Sequence, residues 1–413
     1  MSTFQEMPLS PRLKKALAAS KFVTPTPVQI QAIPPALDGD DVVATAQTGT
    51  GKTLAFLIPV MEMLDQVPAH KITALVLVPT RELAIQVHEQ YEALRSKKSV
   101  PAALVIGGLS EKDQIKSLKA GARLIVATPG RLEDYIRRRI VDLGFVCTLV
   151  LDEVDRMLDM GFLPSITRIL STLPKERQTL CFSATLEKSV QGLLLKCTTD
   201  AVRIAIGNIL KPAASVSLQA YEVPLAHKGL ALRQALKEVE GKTLIFTRTK
   251  RGTERLAKQL KNEGYSTTMI HGDRTQSQRL TALSSFEQGR YEILVATDVA
   301  ARGLQIDDVM HVINYELPAL AEDFIHRVGR TGRAGNTGRA TTLASGAEMI
   351  ELRRFEKTLK LHIERRELSK DVPLPTTASP VVPISKGRRE GARRERGTLR
   401  SRTLNRLPGE VFA

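Results

Sequence analysis

Apolar residues along the chain fall in short β-branched runs set between longer stretches with a helical repeat. The runs at Val42-Val43, Ala74–Val78, Ala102–Ile106, Leu124–Ala127, Leu149–Leu151, Thr179–Phe182 and Val202–Ile206 predict strands. Amphipathic stretches such as Leu54–Leu64 lie between them. Short β-branched strands alternating with helices predict a mainly parallel sheet with helices on both faces. The pattern breaks over 207–217, around Lys211-Pro212-Ala213-Ala214, and then resumes. The second series is Gln219–Val223, Thr243–Phe246, Thr267–Ile270, Ile293–Ala296, Val312–Asn314 and Ala340–Leu343, with helices such as Arg251–Glu263 and Arg279–Gln288 between them. The expected organisation is two tandem α/β domains, 1–206 and 218–370, joined by a linker at 207–217. From Asp371 the periodicity dissolves into Pro, Ser and Thr and then Arg and Gly, so 371–413 reads as a disordered basic tail.

Two stretches add chemistry to this pattern. The first is Ala44-Thr45-Ala46-Gln47-Thr48-Gly49-Thr50-Gly51-Lys52-Thr53, which joins an apolar strand to a helix. A glycine-rich turn opening a helix presents backbone N–H groups and a positive helix end to an anion. Lys52 can reach the β- and γ-phosphates of a nucleotide, and the Thr53 hydroxyl can ligate Mg2+. The second is Val150-Leu151-Asp152-Glu153-Val154-Asp155, an apolar strand ending in carboxylates. Strand ends at the carboxyl edge of a parallel sheet are where ligands bind in such folds. Asp152 is placed to support Mg2+ and Glu153 to orient or deprotonate the attacking water. Together the two stretches read as an ATP-hydrolysing site.

Charge then narrows the partner. The formal net charge is +16 and the isoelectric point is near 9.8, which favours a polyanion. The segment Lys386–Arg406 holds nine Lys or Arg against two Glu, leaving +9 for the rest of the chain. No apolar run is long enough to span a membrane. The opening residues carry no basic-then-apolar leader, so a cytoplasmic location is expected. Cys147, Cys181 and Cys197 have no metal or disulfide spacing and are expected as buried free thiols.

Three further turns, Pro79-Thr80-Arg81-Glu82-Leu83, Gly107-Gly108 and Thr128-Pro129-Gly130-Arg131, follow successive strands of the first series. Small hydroxyls, free N–H groups and arginines at such turns suit successive phosphates of a nucleic-acid strand. With these motifs in order over roughly residues 4–345, the chain resembles the DEAD-box RNA helicases of superfamily 2, most closely the bacterial type with a minimal core. That resemblance implies two tandem RecA-like domains that close together on ATP, Mg2+ and single-stranded RNA. It implies that Phe22-Val23-Thr24-Pro25-Thr26-Pro27-Val28-Gln29 reads adenine through Gln29, with Phe4 packing on the base. Asp155 belongs to the nucleotide site. Pro79, Thr80, Arg81, Gly108, Thr128, Pro129 and Arg131 grip RNA from the first domain, and Gln276, Arg279 and Thr297 from the second. Ser183-Ala184-Thr185 couples the two sites near Asp155, with Arg302 and His326 in the same role. In His326-Arg327-Val328-Gly329-Arg330-Thr331-Gly332-Arg333, Arg330 and Arg333 act as arginine fingers on the γ-phosphate. They share one face if that segment is helical.

The sequence departs from the family pattern in three places. Lys21 replaces a Gly and is strained if its φ is positive. Val154 replaces the Ala of the motif that names the family. Gln305 replaces an Asp that holds the ribose, which should weaken nucleotide binding. Ala46 at the first loop position is the family's own residue. The resemblance implies a monomeric, RNA-dependent ATPase that unwinds short duplexes or remodels ribonucleoprotein, acting on single-stranded and structured RNA. Ribosomal particles and RNA-decay complexes are both open as partners. A non-catalytic RNA clamp, motivated by Val154 and Gln305, and a DNA translocase of the same superfamily are the alternatives.

Overall fold

A computed structural model describes residues 2–46, 49–66, 71–96, 99, 101–206, 215–301, 306, 309–332 and 337–369. The first seven strands are β1 (Val42–Ala46), β2 (Ala74–Leu77), β3 (Ala103–Val105), β4 (Leu124–Ala127), β5 (Thr148–Leu151), β6 (Gln178–Ser183) and β7 (Val202–Ile206). They form one parallel sheet in the order β3-β4-β2-β5-β6-β1-β7. The next seven are β8 (Val216–Glu222), β9 (Lys242–Thr247), β10 (Thr267–Ile270), β11 (Ile293–Thr297), β12 (Val309–Asn314), β13 (Gly338–Ala344) and β14 (Glu364–Arg366). Their sheet is also parallel, in the order β10-β11-β9-β12-β13-β8-β14. Raising every strand number of the first order by seven gives the second. The chain therefore builds one topology twice.

The central strands of each sheet are buried on both faces because they are largely apolar, and successive side chains point to opposite sides. In β1, Val42, Ala44 and Ala46 enter one core layer and Val43 the other. In β9, Leu244 and Phe246 enter one layer of the second sheet and Ile245 the opposite one. Helices cover these layers, and their starts carry local signals. Ser10 caps the helix Pro11–Ala19 through its hydroxyl, and Thr80 caps Arg81–Leu94 in the same way.

The register places chemistry. Thr45 of β1 lies beside Ser183 of β6, and Leu151 of β5 beside Cys181 of β6. The segments leaving β1, β5 and β6 thus emerge side by side on one sheet edge. The segments leaving β2, β3 and β4 emerge on the other half of the same edge.

Several expectations need correction. β8 begins at Val216, where Gly338 of β13 pairs with it, so the linker is shorter than 207–217. Residues 207–214 and the tail from 370 lie outside the described residues. β14 was not anticipated: its three residues are exposed and charged, so it lacks the apolar signal that marks a strand. Lys21 has a φ of 62°, the left-handed region, so the strained alternative holds at that position. Val154 does face the interior: it is fully buried in the layer containing Leu149, Leu151, Met157 and Cys181.

Val154→Ala should lower the unfolding free energy by about 1–3 kcal/mol through the space left behind, measured by urea denaturation. A variant as stable as the wild type, or more so, would mean that the valine overpacks its layer.

Candidate active site

Gly49 and Gly51 of the glycine loop have φ of 87° and 91°, conformations that a side chain would strain. Gly51 has a second constraint. A Cβ there would sit 2.5 Å from Gln29 Nε2, and that amide nitrogen donates to the Gly51 carbonyl at 2.9 Å. The Gln29 Oε1 accepts from Thr26 N at 2.8 Å. One glutamine thus ties the proposed adenine-reading segment to the phosphate loop, and each end of its amide retains hydrogen-bonding capacity. Lys52 opens the helix Lys52–Gln66, is buried, and donates to the Ala46 carbonyl at 3.0 Å. Thr53 is buried beside it. Phe4 is a core residue packed with the first layer, and Phe22 is half-buried against that layer. Gln47 and Thr48 lie outside the described residues.

The carboxylates gather on neighbouring strand ends. Asp152 is fully buried, and burial pushes its carboxyl upward against the pull of the Lys52 ammonium. Its Oδ1 accepts from Glu153 N at 2.9 Å. Glu153 has a φ of 51°, and that turn starts the helix Val154–Asp159. Its buried Oε2 has no hydrogen bond and lies 3.5 Å from Arg156 Nε. Asp155 is the most fully satisfied of the three. Its Oδ2 accepts from Ala184 N and Thr185 N, each at 2.9 Å, and from Thr185 Oγ1 at 3.4 Å. Asp155 N donates to Ser183 Oγ at 3.3 Å. The Ser183-Ala184-Thr185 turn and the carboxylate strand end therefore move as one unit.

The second sheet meets this edge with arginines. Arg156 of the first sheet lines a small cavity together with Phe246, Asp298, Asp323, His326, Arg327 and Arg330 of the second. Arg330 is buried, and its Nε donates to the His326 carbonyl at 3.2 Å. The preceding helix runs Ala321–Val328 and ends at Gly329, so Arg330 sits on a turn and the condition for a shared helical face with Arg333 is not met at Arg330. Arg302, Gln305 and Arg333 lie outside the described residues.

Arg327 was not anticipated as important. Its guanidinium grips Asp298 bidentately at 2.5 and 2.6 Å, donates to Asn314 Oδ1 and the Glu316 carbonyl, and lies 5.0 Å from the Phe246 ring centre. It fixes the turn that carries Arg330. Lys228 was also missed. It opens the helix after β8 just as Lys52 opens the helix after β1. Its Nζ is buried against Glu348 Oε2 at 2.5 Å and the Tyr315 carbonyl at 2.9 Å.

The other half of the edge forms a cleft of about 450 Å³. Pro79, Thr80, Arg81, Thr128 and Arg131 line it from the first sheet, with Gly272, Arg279 and Val299 from the second. Gly107 and Gly108 make room for the Arg81 guanidinium, since a Cβ at Gly108 would lie 2.5 Å from Arg81 Nη1. The Thr80 hydroxyl is engaged as a helix cap, and Pro129 is buried at the start of the helix Pro129–Arg137. Arg131 is braced by Glu111 at 2.9 Å and lies over the Tyr135 ring. Thr297 is buried at the end of β11.

Gln276 and Arg279 reach across the cleft instead of standing free within it. Gln276 Nε2 donates to Glu82 Oε1 at 2.9 Å, and Arg279 Nη2 lies 3.0 Å from Glu82 Oε2. Glu82 is buried and joins the two sheets. Its signal in the sequence was an acidic residue inside an otherwise phosphate-seeking turn.

Comparisons with known proteins agree with this geometry. A profile for "DEAD/DEAH box helicase" matches residues 26–193, and one for "Helicase conserved C-terminal domain" matches residues 227–335. The chain is 42% identical over 368 residues to the DEAD-box ATP-dependent RNA helicase CshA of Geobacillus kaustophilus, covering 88% of this chain and 78% of that one. It is 41% identical to the ATP-dependent rRNA helicase RRP3 of Yarrowia lipolytica, covering 86% and 75%. Saccharomyces cerevisiae Dbp5 bound to RNA and ADP BeF3 superposes with a TM-score of 0.80 at 30% identity, over 89% of this chain and 96% of that one. A DEAD box protein from the hyperthermophile Methanococcus jannaschii is 39% identical over 88% of this chain and 99% of its own, with a TM-score of 0.53. With both halves of a helicase core matched in order and two-fifths of the residues shared with named members, the chain belongs to the DEAD-box ATP-dependent RNA helicases.

Proposed function

We propose that the protein is an RNA-stimulated ATPase that melts short RNA duplexes or remodels ribonucleoprotein by closing its two sheets on ATP and RNA. The observation that carries this reading is the division of the site. Lys52, Thr53, Asp152 and Glu153 stand on the first sheet edge and Arg330 on the second, and Arg156 and Arg330 border one cavity. Neither half holds a complete catalytic set.

In this reading Lys52 leaves the Ala46 carbonyl for the β/γ-phosphates, and Gln29 reads the adenine edge. Glu153 holds the attacking water with its unsatisfied Oε2, and Arg330 and Arg333 stabilise the charge on the transferring phosphoryl group. The donors fit Mg2+: a buried carboxylate at Asp152 and a hydroxyl at Thr53 are the hard oxygens this ion takes, with phosphates completing its shell. Among the described residues no group of three or more His, Cys, Asp or Glu side chains gathers as a metal cage, in keeping with an ion held mainly by its nucleotide. When bound, Mg2+ neutralises charge on the β- and γ-phosphates. Val154 changes the motif's letters to DEVD without adding or removing a polar atom.

RNA lies in the cleft between Arg81, Thr128 and Arg131 on one side and Thr297 and Arg279 on the other. Contacts to the phosphate backbone make binding sequence-tolerant and salt-sensitive. The Asp155–Ser183–Thr185 unit carries the state of the ATP edge toward the RNA edge. The reading extends to a cytoplasmic, monomeric protein of the bacterial minimal-core type, with structured RNA in ribosomal or RNA-decay particles as its substrate. No helix among the described residues is long and apolar enough to cross a membrane.

Glu153→Gln should lower RNA-stimulated phosphate release by about 10²-fold or more while RNA binding in the presence of ATP persists. A rate unchanged by the substitution, or equal stimulation by single-stranded DNA, would remove the RNA-dependent ATPase reading.

A pH dependence follows from the acidic groups facing one another across the sheets. Glu322, at the start of the helix Ala321–Val328, is held up to about 7 by burial, a hydrogen bond to Glu187 and the nearby charges of Glu187, Asp159 and Asp323. Glu187 and Asp159 belong to the first sheet's elements. When the sheets separate, the Glu322 carboxyl returns toward the ordinary carboxylate range and loses its proton. This contact therefore opposes closure least below the ordinary carboxylate range, and its penalty grows as pH rises from there through about 7. The RNA concentration for half-maximal ATPase should fall roughly two- to fivefold between pH 8 and pH 6.5, and Glu322→Gln should flatten the difference. An identical pH profile in the variant would rule out this carboxyl as the source.

A further inference from the structure

The edge of the first sheet opposite the glycine loop carries a cleft that the ATP and RNA sites do not use. Its volume is about 400 Å³, and Arg12, Met61, Leu64, Asp65, Tyr91, Arg95 and Arg123 are among its lining residues. That volume lies within the range of small-ligand clefts. Leu64 and Asp65 stand near the end of the helix that begins at Lys52, about 20 Å along its axis from the phosphate loop.

Three guanidinium groups converge there, and two are balanced. Arg12 is ion-paired with Asp65, and Arg95 Nε with Glu92 Oε2 at 2.5 Å. Arg123 makes one hydrogen bond, from Nη1 to the Leu64 carbonyl at 2.6 Å, and has no ion-pair partner among the described residues. Capping the end of the helix Lys52–Gln66 explains that bond, and Arg95 Nη1 instead binds the Ser96 and Ser99 carbonyls of the turn after its own helix. It leaves Arg12 Nε and Nη1 and Arg123 Nε and Nη2, all buried and without a hydrogen-bond acceptor. Buried donors of this kind are costly unless an acceptor meets them. Ser96 and Ser99 also line the cleft, and its apolar part is formed by buried Met61, Leu64 and the Tyr91 ring, with burial pushing the Tyr91 hydroxyl up to about 12.

We propose that this cleft binds a single carboxylate carried on an apolar stem, received in the fork of Arg123 and Arg12. The surplus is one positive charge, which suits a monoanion better than a phosphate dianion. A planar carboxylate matches the guanidinium fork, and the stem lies on Met61, Leu64 and Tyr91. The carboxylate can come from an acidic residue of a partner peptide or from a small monocarboxylic acid.

The test uses the full chain with saturating ADP, so that the nucleotide site is occupied, at constant ionic strength. Thermal unfolding is followed during titration with butyrate and, separately, with an acetylated and amidated Leu-Glu-Leu tripeptide. A saturable rise in Tm of about 2 °C at tenfold excess over Kd is expected with at least one probe. It should be lost in Arg123→Gln and weakened in Arg12→Gln, which keeps the assay informative if the first variant folds poorly. Response to the tripeptide alone assigns a peptide partner, and response to butyrate assigns a small acid. RNA-stimulated ATPase should stay within twofold of wild type in both variants, which separates this site from the catalytic reading. No saturable shift with either probe, or equal shifts in wild type and variants, would overturn the proposal.

Discussion

A parallel sheet delivers all its strand ends to one edge, and everything functional in this protein depends on that constraint. In the first sheet the order β3-β4-β2-β5-β6-β1-β7 divides that edge in two. The ends of β5, β6 and β1 supply the carboxylates, the Ser183-Ala184-Thr185 turn and the glycine loop. The ends of β2, β3 and β4 supply the turns at Pro79, Gly107 and Thr128. On the proposed function, nucleotide and nucleic-acid chemistry are therefore neighbours on one layer, a few strand spacings apart. Coupling needs no long path: Asp155 accepts hydrogen bonds from the Ser183–Thr185 turn on the adjacent strand.

The second constraint is charge burial at the seam between the sheets. Glu82 is buried and satisfied by Gln276 and Arg279 from the opposite sheet. A carboxylate in such a place is tolerated only while its partners remain, since loss of one partner leaves a buried charge unpaired. Glu322 and Glu187 act in the opposite sense, because two carboxylates at one contact repel unless they share a proton. The seam thus holds one contact that rewards closure and another that penalises it. That balance suits an assembly that must both close and reopen.

Most of this architecture was legible in the sequence wherever a signal was local. β-branched and apolar runs marked most strands, and Gly49, Gly51 and Lys52 marked the loop that opens the helix Lys52–Gln66. Asp152 and Glu153 followed a run that could only be a buried strand. The failures share a physical cause. β14 is held by one neighbour at a sheet edge and needs no apolar residues. The contacts of Gln276 and Arg279 with Glu82 went unseen because Glu82 is nearly two hundred residues away in the chain. The shared face of Arg330 and Arg333 was conditional on a helical segment, and Gly329, the local stop signal, ends the helix before Arg330. Long-range partners decide what a polar side chain does, and a one-dimensional pattern does not record them.

The repeated strand order has a consequence for how such a site can arise. Two copies of one fold that meet through different surfaces make a heterologous contact, which propagates into rings or filaments when the copies are separate chains. Here propagation is blocked within the second copy itself. Lys228 stands where Lys52 stands in the first, but Glu348 neutralises it and no glycine loop surrounds it. On the proposed function, the second copy completes its neighbour's reaction and carries no glycine loop of its own, which caps the array at two.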